Sequence, residues 1–265
     1  MQDREKQFKL LLEHLKKYRG GEVVFIPNPG NAGDLLIAYA CIQMIEYLGI
    51  IYRLGRFNES FTDEILLYGG GGNLIGEYPN CKQFLEENMT RNEITLFPCT
   101  IKDEDEIVSK FNEKITVFCR ENISYEYVKK LHQKPANVYT APDASLWIQS
   151  TAFFKSKKRK GLGTLFRTDN EKKSDIHIRN TNNLDISLLL MQELQYITRE
   201  IIQDVSLKLL DFVSNFEKVK TDRLHIAIAC HLTQTPCELY ANSYWKNEVV
   251  YKQSLSTSDY IQFIK

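Results

Sequence analysis

Val23-Val-Phe-Ile26, then Pro27-Asn-Pro-Gly-Asn-Ala-Gly-Asp34, then apolar residues at helical spacing from Asp34 to Leu48: this stretch decides the fold. A short apolar run is strand-like, the Gly/Asn/Pro segment is a turn, and the spacing that follows is that of a helix, so the segment opens a β-α-β series. Further short apolar runs stand at Ile65 to Tyr68, Ile94 to Phe97, Ile115 to Phe118 and Val138 to Tyr139. Helical patterns at Asp103 to Phe111 and Tyr125 to His132 separate them, and Phe8, Leu11, Leu12, Leu15 and Tyr18 mark an amphipathic helix ahead of them. Such alternation predicts a mostly parallel sheet with helices on both faces.

The series is interrupted at Lys155-Ser-Lys-Lys-Arg-Lys160, after Phe153-Phe154. We place an interdomain linker at 153–160, between an N-terminal domain of residues 1–152 and a C-terminal domain of residues 161–265. The second series starts at Gly163 to Phe166 and continues through a long helical pattern from Ile186 to Phe216. The stretch from Asn170 to Asn183 is polar and carries no clear strand signal. A total of 265 residues is enough for two domains with cores of their own.

Lys and Arg total 34 and so do Asp and Glu; this zero net charge argues against a dedicated nucleic-acid face. No run approaches the length of a membrane span, and the N-terminus lacks a secretory pattern, which predicts a cytoplasmic protein. The basic run is read as a solvated linker, with contact to anionic lipid headgroups at the inner membrane face as the minority reading. Six cysteines form no CxxC pair and are expected as reduced, buried thiols. Histidines 14, 132, 177, 225 and 231 form no ligand cluster, so no metal and no cofactor are expected.

Four segments carry chemistry. Gly30-Asn-Ala-Gly-Asp34 lies between strand and helix, where open α/β sheets bind ligands; the alternative is that Asp34 caps its helix and the glycines make the turn. Tyr68-Gly-Gly-Gly-Gly-Asn73 is read as a second such turn, where the backbone approaches a ligand or a neighbouring loop closely. Phe166-Arg-Thr-Asp169 follows a strand, and Thr221-Asp-Arg-Leu-His225 opens a helix that Thr221 or Asp222 is expected to cap. Two guanidinium forks at a helix N-terminus suit phosphate or carboxylate, and His225 would share that field. The alternative is a surface salt bridge for Arg223 and a structural role for His225.

These segments in this order resemble the polysaccharide pyruvyl transferase family over nearly the whole chain, together with Phe118-Cys-Arg-Glu121, Ser124 and Ala141-Pro-Asp143. The resemblance implies two Rossmann-like domains facing across a cleft, as in GT-B glycosyltransferases. It implies phosphoenolpyruvate as co-substrate and a sugar as acceptor, expected in lipid-linked form, which receives a carboxyethylidene unit on two hydroxyls of a hexose with release of phosphate. Arg167, Arg223, Leu224 and His225 match the donor positions, with His225 as general acid or phosphate stabiliser. The acceptor is expected on the first domain, at Asn31, Asp34, Gly71, Gly72 and Asn73, with Asp34 facing the reacting hydroxyl. Arg120 and Asp143 match the motif set and are either ligand contacts or structural. Two rival readings are a nucleotide-sugar-dependent GT-B glycosyltransferase and a non-catalytic subunit of a polysaccharide assembly complex; no clear base pocket or ribose carboxylate supports the first.

Overall fold

A computed structural model describes residues 2–131, 137–149, 152–155, 157–173, 182–191 and 197–265. His132, His177 and most of the polar stretch 170–183 lie outside the described residues. The protein is α/β, with two parallel sheets in two compact units. The first unit comprises Met1–Pro29 and Ile37–Trp147; the second comprises Gly30–Leu36 and Ile148–Lys265.

In the first unit the elements run α1 (Gln2–Gln7), α2 (Lys9–Leu15), β1 (Glu22–Ile26), α3 (Ala32–Tyr47, whose first residues group with the second unit), β2 (Ile51–Leu54), β3 (Ile65–Tyr68), β4 (Gly71–Leu74), α4 (Pro79–Asn88), β5 (Glu93–Ile101), α5 (Asp105–Val108), β6 (Ile115–Cys119), α6 (Asn122–Leu131) and β7 (Asn137–Thr140). Among the described residues the sheet has seven strands in the order β2-β1-β3-β5-β6-β7, with β4 also paired to β5, and every pairing is parallel. Burial on both faces explains why its central strands read as unbroken apolar runs: Val23 to Ile26 and Ile115 to Cys119 are buried without alternation.

The poly-Gly segment is not the simple turn expected. Gly71–Leu74 forms a short strand paired with β5, beside Pro98. Proline offers no N–H to a ladder, and the β5–β6 register shifts between Leu96 and Cys99. Gly70 sits against the Pro98 carbonyl oxygen so closely that a Cβ would collide with it. Backbone, not ligand, fills the space that this glycine leaves open.

The second unit contains α7 (Ala152–Lys155), β8 (Leu162–Thr164), α8 (Ile186–Leu189), α9 (Arg199–Ser214), β9 (Lys218–Thr221), α10 (Leu224–Thr233), β10 (Cys237–Tyr240), α11 (Lys246–Val250) and β11 (Ile261–Ile264). Its four strands are parallel in the order β11-β10-β9-β8. The long helical pattern from Ile186 resolves into α8 and α9. Thr198 caps α9 by accepting from Ile201 N, and Ile202, Val205, Leu209, Leu210 and Val213 bury one face. Helix α10 is apolar all round and is buried from Ile226 to Cys230.

The basic run is partly consumed by this packing. Lys157 donates to Asp211 and Asn215 at the end of α9, while Arg159 donates to the carbonyls of Thr233 (2.8 Å) and Gln234 at the end of α10. A helix C-terminus leaves such carbonyls unpaired, and a cation there opposes the helix dipole. The run 157–160 therefore belongs to the second unit. Among the described residues, no helix is long and apolar enough to cross a membrane. The six cysteines are free and buried.

Candidate active site

Strands β8 and β9 are neighbours, so the loops that leave their carboxyl ends, 165–169 and 221–223, lie side by side. Short bonds join the loops. Leu165 N donates to Lys220 O, Thr221 Oγ1 donates to Leu165 O (2.6 Å), and Arg167 N donates to Asp222 Oδ1 (2.8 Å). Neither Thr221 nor Asp222 caps α10 as expected, because their oxygens are committed to these bonds and to Arg223 N. Arg223 stands at the N-cap of α10 and makes no side-chain cap hydrogen bond there, so the positive end of the helix lies beside its guanidinium.

The two arginines meet on one carboxylate. Arg167 donates from Nε to Asp169 Oδ1 (2.6 Å) and from Nη2 to Asp169 Oδ2 (3.1 Å); Arg223 donates from Nη2 to the same Oδ2 (2.9 Å). Arg167 Nη1 reaches Glu171 Oε2 at 2.9 Å, and Lys246 Nζ reaches that oxygen too. Arg223 is forked by Asp185, Nε to Oδ1 and Nη2 to Oδ2, both at 2.6 Å. Three cations, Arg167, Arg223 and Lys246, thus face Asp169, Glu171, Asp185 and Asp222.

Burial raises the Asp222 carboxyl to about 6, against the opposing pull of the Arg167 backbone N–H and the two guanidiniums. Burial acts the same way on Asp169 and Glu171, but their ion pairs outweigh it and hold both below the ordinary carboxylate range: Arg167 and Arg223 around Asp169, Lys246 and Arg167 around Glu171. Arg167 is buried as well, and these carboxylates keep it fully charged.

His225 stands on the first turn of α10, next to Leu224, and Gly33 packs on it. A Cβ at Gly33 would lie 2.7 Å from His225 Nδ1 and 2.8 Å from its Cβ. The segment Gly30–Leu36 therefore groups with the second unit, where Ser206 Oγ of α9 also donates to Leu35 O (3.0 Å). This corrects the expectation that Asn31 and Asp34 belong to the first domain. Within the segment, Asn31 Oδ1 accepts from Gly33 N and Asp34 Oδ2 accepts from Asn31 N, each at 2.8 Å, a reciprocal cap of the helix start. A Cβ on Gly30 would strike the Asp34 carboxylate.

The remaining sequence-predicted residues lie in the first unit. Asn73 donates to Asn28 Oδ1, which also accepts from Tyr68 Oη (2.9 Å), and Gly71 and Gly72 lie in β4. Arg120 donates to Thr100 Oγ1 (2.9 Å) and to Asp143 Oδ2 (2.8 Å), and the pair is wholly buried. Asp143 also receives Ser145 N at 3.0 Å. Among the described residues, no group of three or more His, Cys, Asp and Glu side chains could hold a metal ion.

Asp185, Glu171 and Lys246 escaped the sequence reading. Asp185 stands directly before Ile186-Ser-Leu-Leu189 and reads as a helix cap. Glu171 and Lys246 lie far apart in the chain and read as surface charges.

Residues 31–244 match the family described as polysaccharide pyruvyl transferase. The chain belongs to the polysaccharide pyruvyl transferase family. It is 25% identical to General stress protein 30 of Bacillus subtilis (strain 168), over 89% of this chain and 78% of that one. Its fold is similar to the crystal structure of a protein described as functional uncharacterized from Klebsiella pneumoniae subsp. pneumoniae NTUH-K2044, with a TM-score of 0.82, 32% identity and all of both chains covered. The span that matches the family, residues 31–244, holds both arginine loops.

Proposed function

We propose that this family member transfers the carboxyethylidene unit of phosphoenolpyruvate to two hydroxyls of one hexose in a polysaccharide or lipid-linked oligosaccharide precursor, releasing phosphate. The observation that carries this reading is the arginine pair on Asp169 beside His225 and the uncapped start of α10. The donor is a small dianion-plus-carboxylate. Arg167 and Arg223 match its two acidic groups, the α10 N-terminus adds backbone donors, and no pocket for a nucleotide base is needed.

In this reading His225 donates a proton to the methylene carbon of the enol phosphate, and a sugar hydroxyl adds to the adjacent carbon, its proton returning to His225. A second hydroxyl then attacks that carbon, the C–O bond to phosphate breaks, and the ketal forms. The second hydroxyl gives up its proton to Asp34 as phosphate leaves. Asn31 and Asn73 serve the acceptor with Gly71 and Gly72, whereas Arg120 and Asp143 act as scaffold. The reading includes the GT-B-like arrangement and the cytoplasmic setting that the resemblance implies.

The test is acceptor-dependent release of phosphate from phosphoenolpyruvate by wild type and by His225→Ala. Loss of at least 100-fold in the variant, with the sugar acceptor still bound, supports the assignment; release at the wild-type rate refutes it.

A further inference from the structure

Arg223 does not lie loose in its pocket. Its Nε and Nη2 are both taken by Asp185, its Nη2 is shared with Asp169, and among the described residues Nη1 has no hydrogen-bond partner. The guanidinium is thus held along one edge and presented along the other. Asp185 is equally fixed. Its Oδ2 accepts from Thr168 N (2.8 Å) and Thr168 Oγ1 (3.1 Å), and the side chain is 6% exposed. It stands at the N-cap position of α8, where an aspartate ordinarily accepts from the helix's own N–H groups, yet it makes no such bond. The carboxylate is turned away from its helix and toward Arg223.

We propose that Asp185 is a positioning residue: it aims Arg223 so that Nη1 faces the donor anion, with Thr168 locking the carboxylate in place. The proposal rests on the donor-site reading above. A long arginine side chain has several rotamers of similar energy, and a bidentate carboxylate selects one of them before the ligand arrives. Asp169 contributes by accepting from both guanidiniums, which offsets their mutual repulsion. The competing account is that Asp185 occupies the place of the donor and must be displaced by it. Two features of the site oppose that account. The aspartate is tied to the Thr168 backbone as well as to Arg223, and it contacts the Nε edge, leaving Nη1 open.

The two accounts predict opposite signs. Isothermal titration of phosphoenolpyruvate into wild type, Asp185→Asn and Asp185→Glu at pH 7.5 separates them, with unfolding scans to establish that each variant is folded. Positioning predicts binding at least fivefold weaker in Asp185→Asn and at least partly restored in Asp185→Glu, which a merely structural role would not do in folded protein. Binding in Asp185→Asn as tight as wild type, or tighter, overturns the proposal and makes Asp185 a competitor of the donor. Should Asp185→Asn not fold, Thr168→Val decides, since it removes one anchor of Asp185 and leaves every charge in place: binding about threefold weaker supports positioning, and unchanged binding overturns it. Absence of binding by wild type itself is the failure of the donor-site reading, and it takes the proposal with it; failure of the proposal alone shows only in the variants.

Discussion

Gly33 touches His225 so closely that a methyl group at Gly33 would stand 2.7 Å from Nδ1 and 2.8 Å from the histidine Cβ. The second of these distances cannot be relieved by rotating the ring, because Cβ moves only with the backbone of α10. Gly33→Ala therefore displaces either the start of α3 or that of α10. Overpacking of this kind costs about 1–3 kcal/mol of stability, and a displacement of a catalytic group by an ångström lowers turnover by about tenfold to a hundredfold. Steady-state kinetics and denaturant unfolding of Gly33→Ala check both figures; wild-type kcat in that variant would remove the constraint.

Arg120 and Arg223 are both buried arginines in ion pairs, but their replacement should have different consequences. Arg120→Ala removes the guanidinium from the buried Asp143 carboxylate, and breaking such a pair costs about 3–5 kcal/mol. Arg223→Ala leaves Asp169 still paired with Arg167 and Asp185 still held by Thr168. Its expected phenotype is loss of donor binding with a smaller change in stability. Urea unfolding and donor titration, run on both variants, resolve the two roles.

Arg159 supplies the end of α10 with two hydrogen bonds to Thr233 and Gln234. Bonds from a charged donor contribute about 1.5–3 kcal/mol, so Arg159→Ala should lower stability by roughly that amount. Because the side chain is committed within the second unit, sedimentation with anionic lipid vesicles should be the same for variant and wild type. Vesicle binding lost at unchanged stability would restore the basic run as a lipid contact.

His14 gives the first unit a pH dependence. Burial, aided by Lys17, lowers its imidazole to about 4, while Nε2 lies 2.8 Å from Thr95 Oγ1. The unfolded chain takes up a proton near pH 6.5 and the folded chain only near 4, so the contribution is complete above pH 6.5 and is lost as pH falls through 4. The stability difference between wild type and His14→Gln should therefore shrink from pH 7.5 to pH 4.5. A difference independent of pH would show that His14 titrates normally in the folded protein.

Much of the fold was legible because buried parallel strands are unbroken apolar runs: β1, β3, β5, β6 and β7 stand where Val23, Ile65, Ile94, Ile115 and Val138 announce them. Strands β2 and β11 carry partly exposed, mixed residues and escaped notice. The helix expected from Asp103 to Phe111 shrinks to α5, although Ile107, Val108 and Phe111 are all buried. At the candidate site, Arg167, Arg223 and His225 were singled out because loop-borne motifs carry them. The carboxylates around the arginines were not. Asp185 acquires its meaning only from Arg223, 38 positions further along the chain, and Glu171 only when Lys246, 75 positions further along, joins Arg167 on its carboxylate. Asn31 and Asp34 were recognised as a motif but assigned to the wrong unit, because chain order does not reveal that Gly33 rests on His225.

Thermal unfolding with ligands decides whether Arg167, Arg223 and His225 form a phosphoenolpyruvate site. Wild type and Arg223→Ala are scanned with phosphoenolpyruvate, inorganic phosphate, a panel of nucleotide sugars and buffer alone. A ligand at 100 times its dissociation constant stabilises by ~2.7 kcal/mol, which such a scan resolves. The account predicts a rise in the unfolding midpoint with phosphoenolpyruvate that exceeds the rise with phosphate and vanishes in Arg223→Ala. A rise with a nucleotide sugar and none with phosphoenolpyruvate would contradict it.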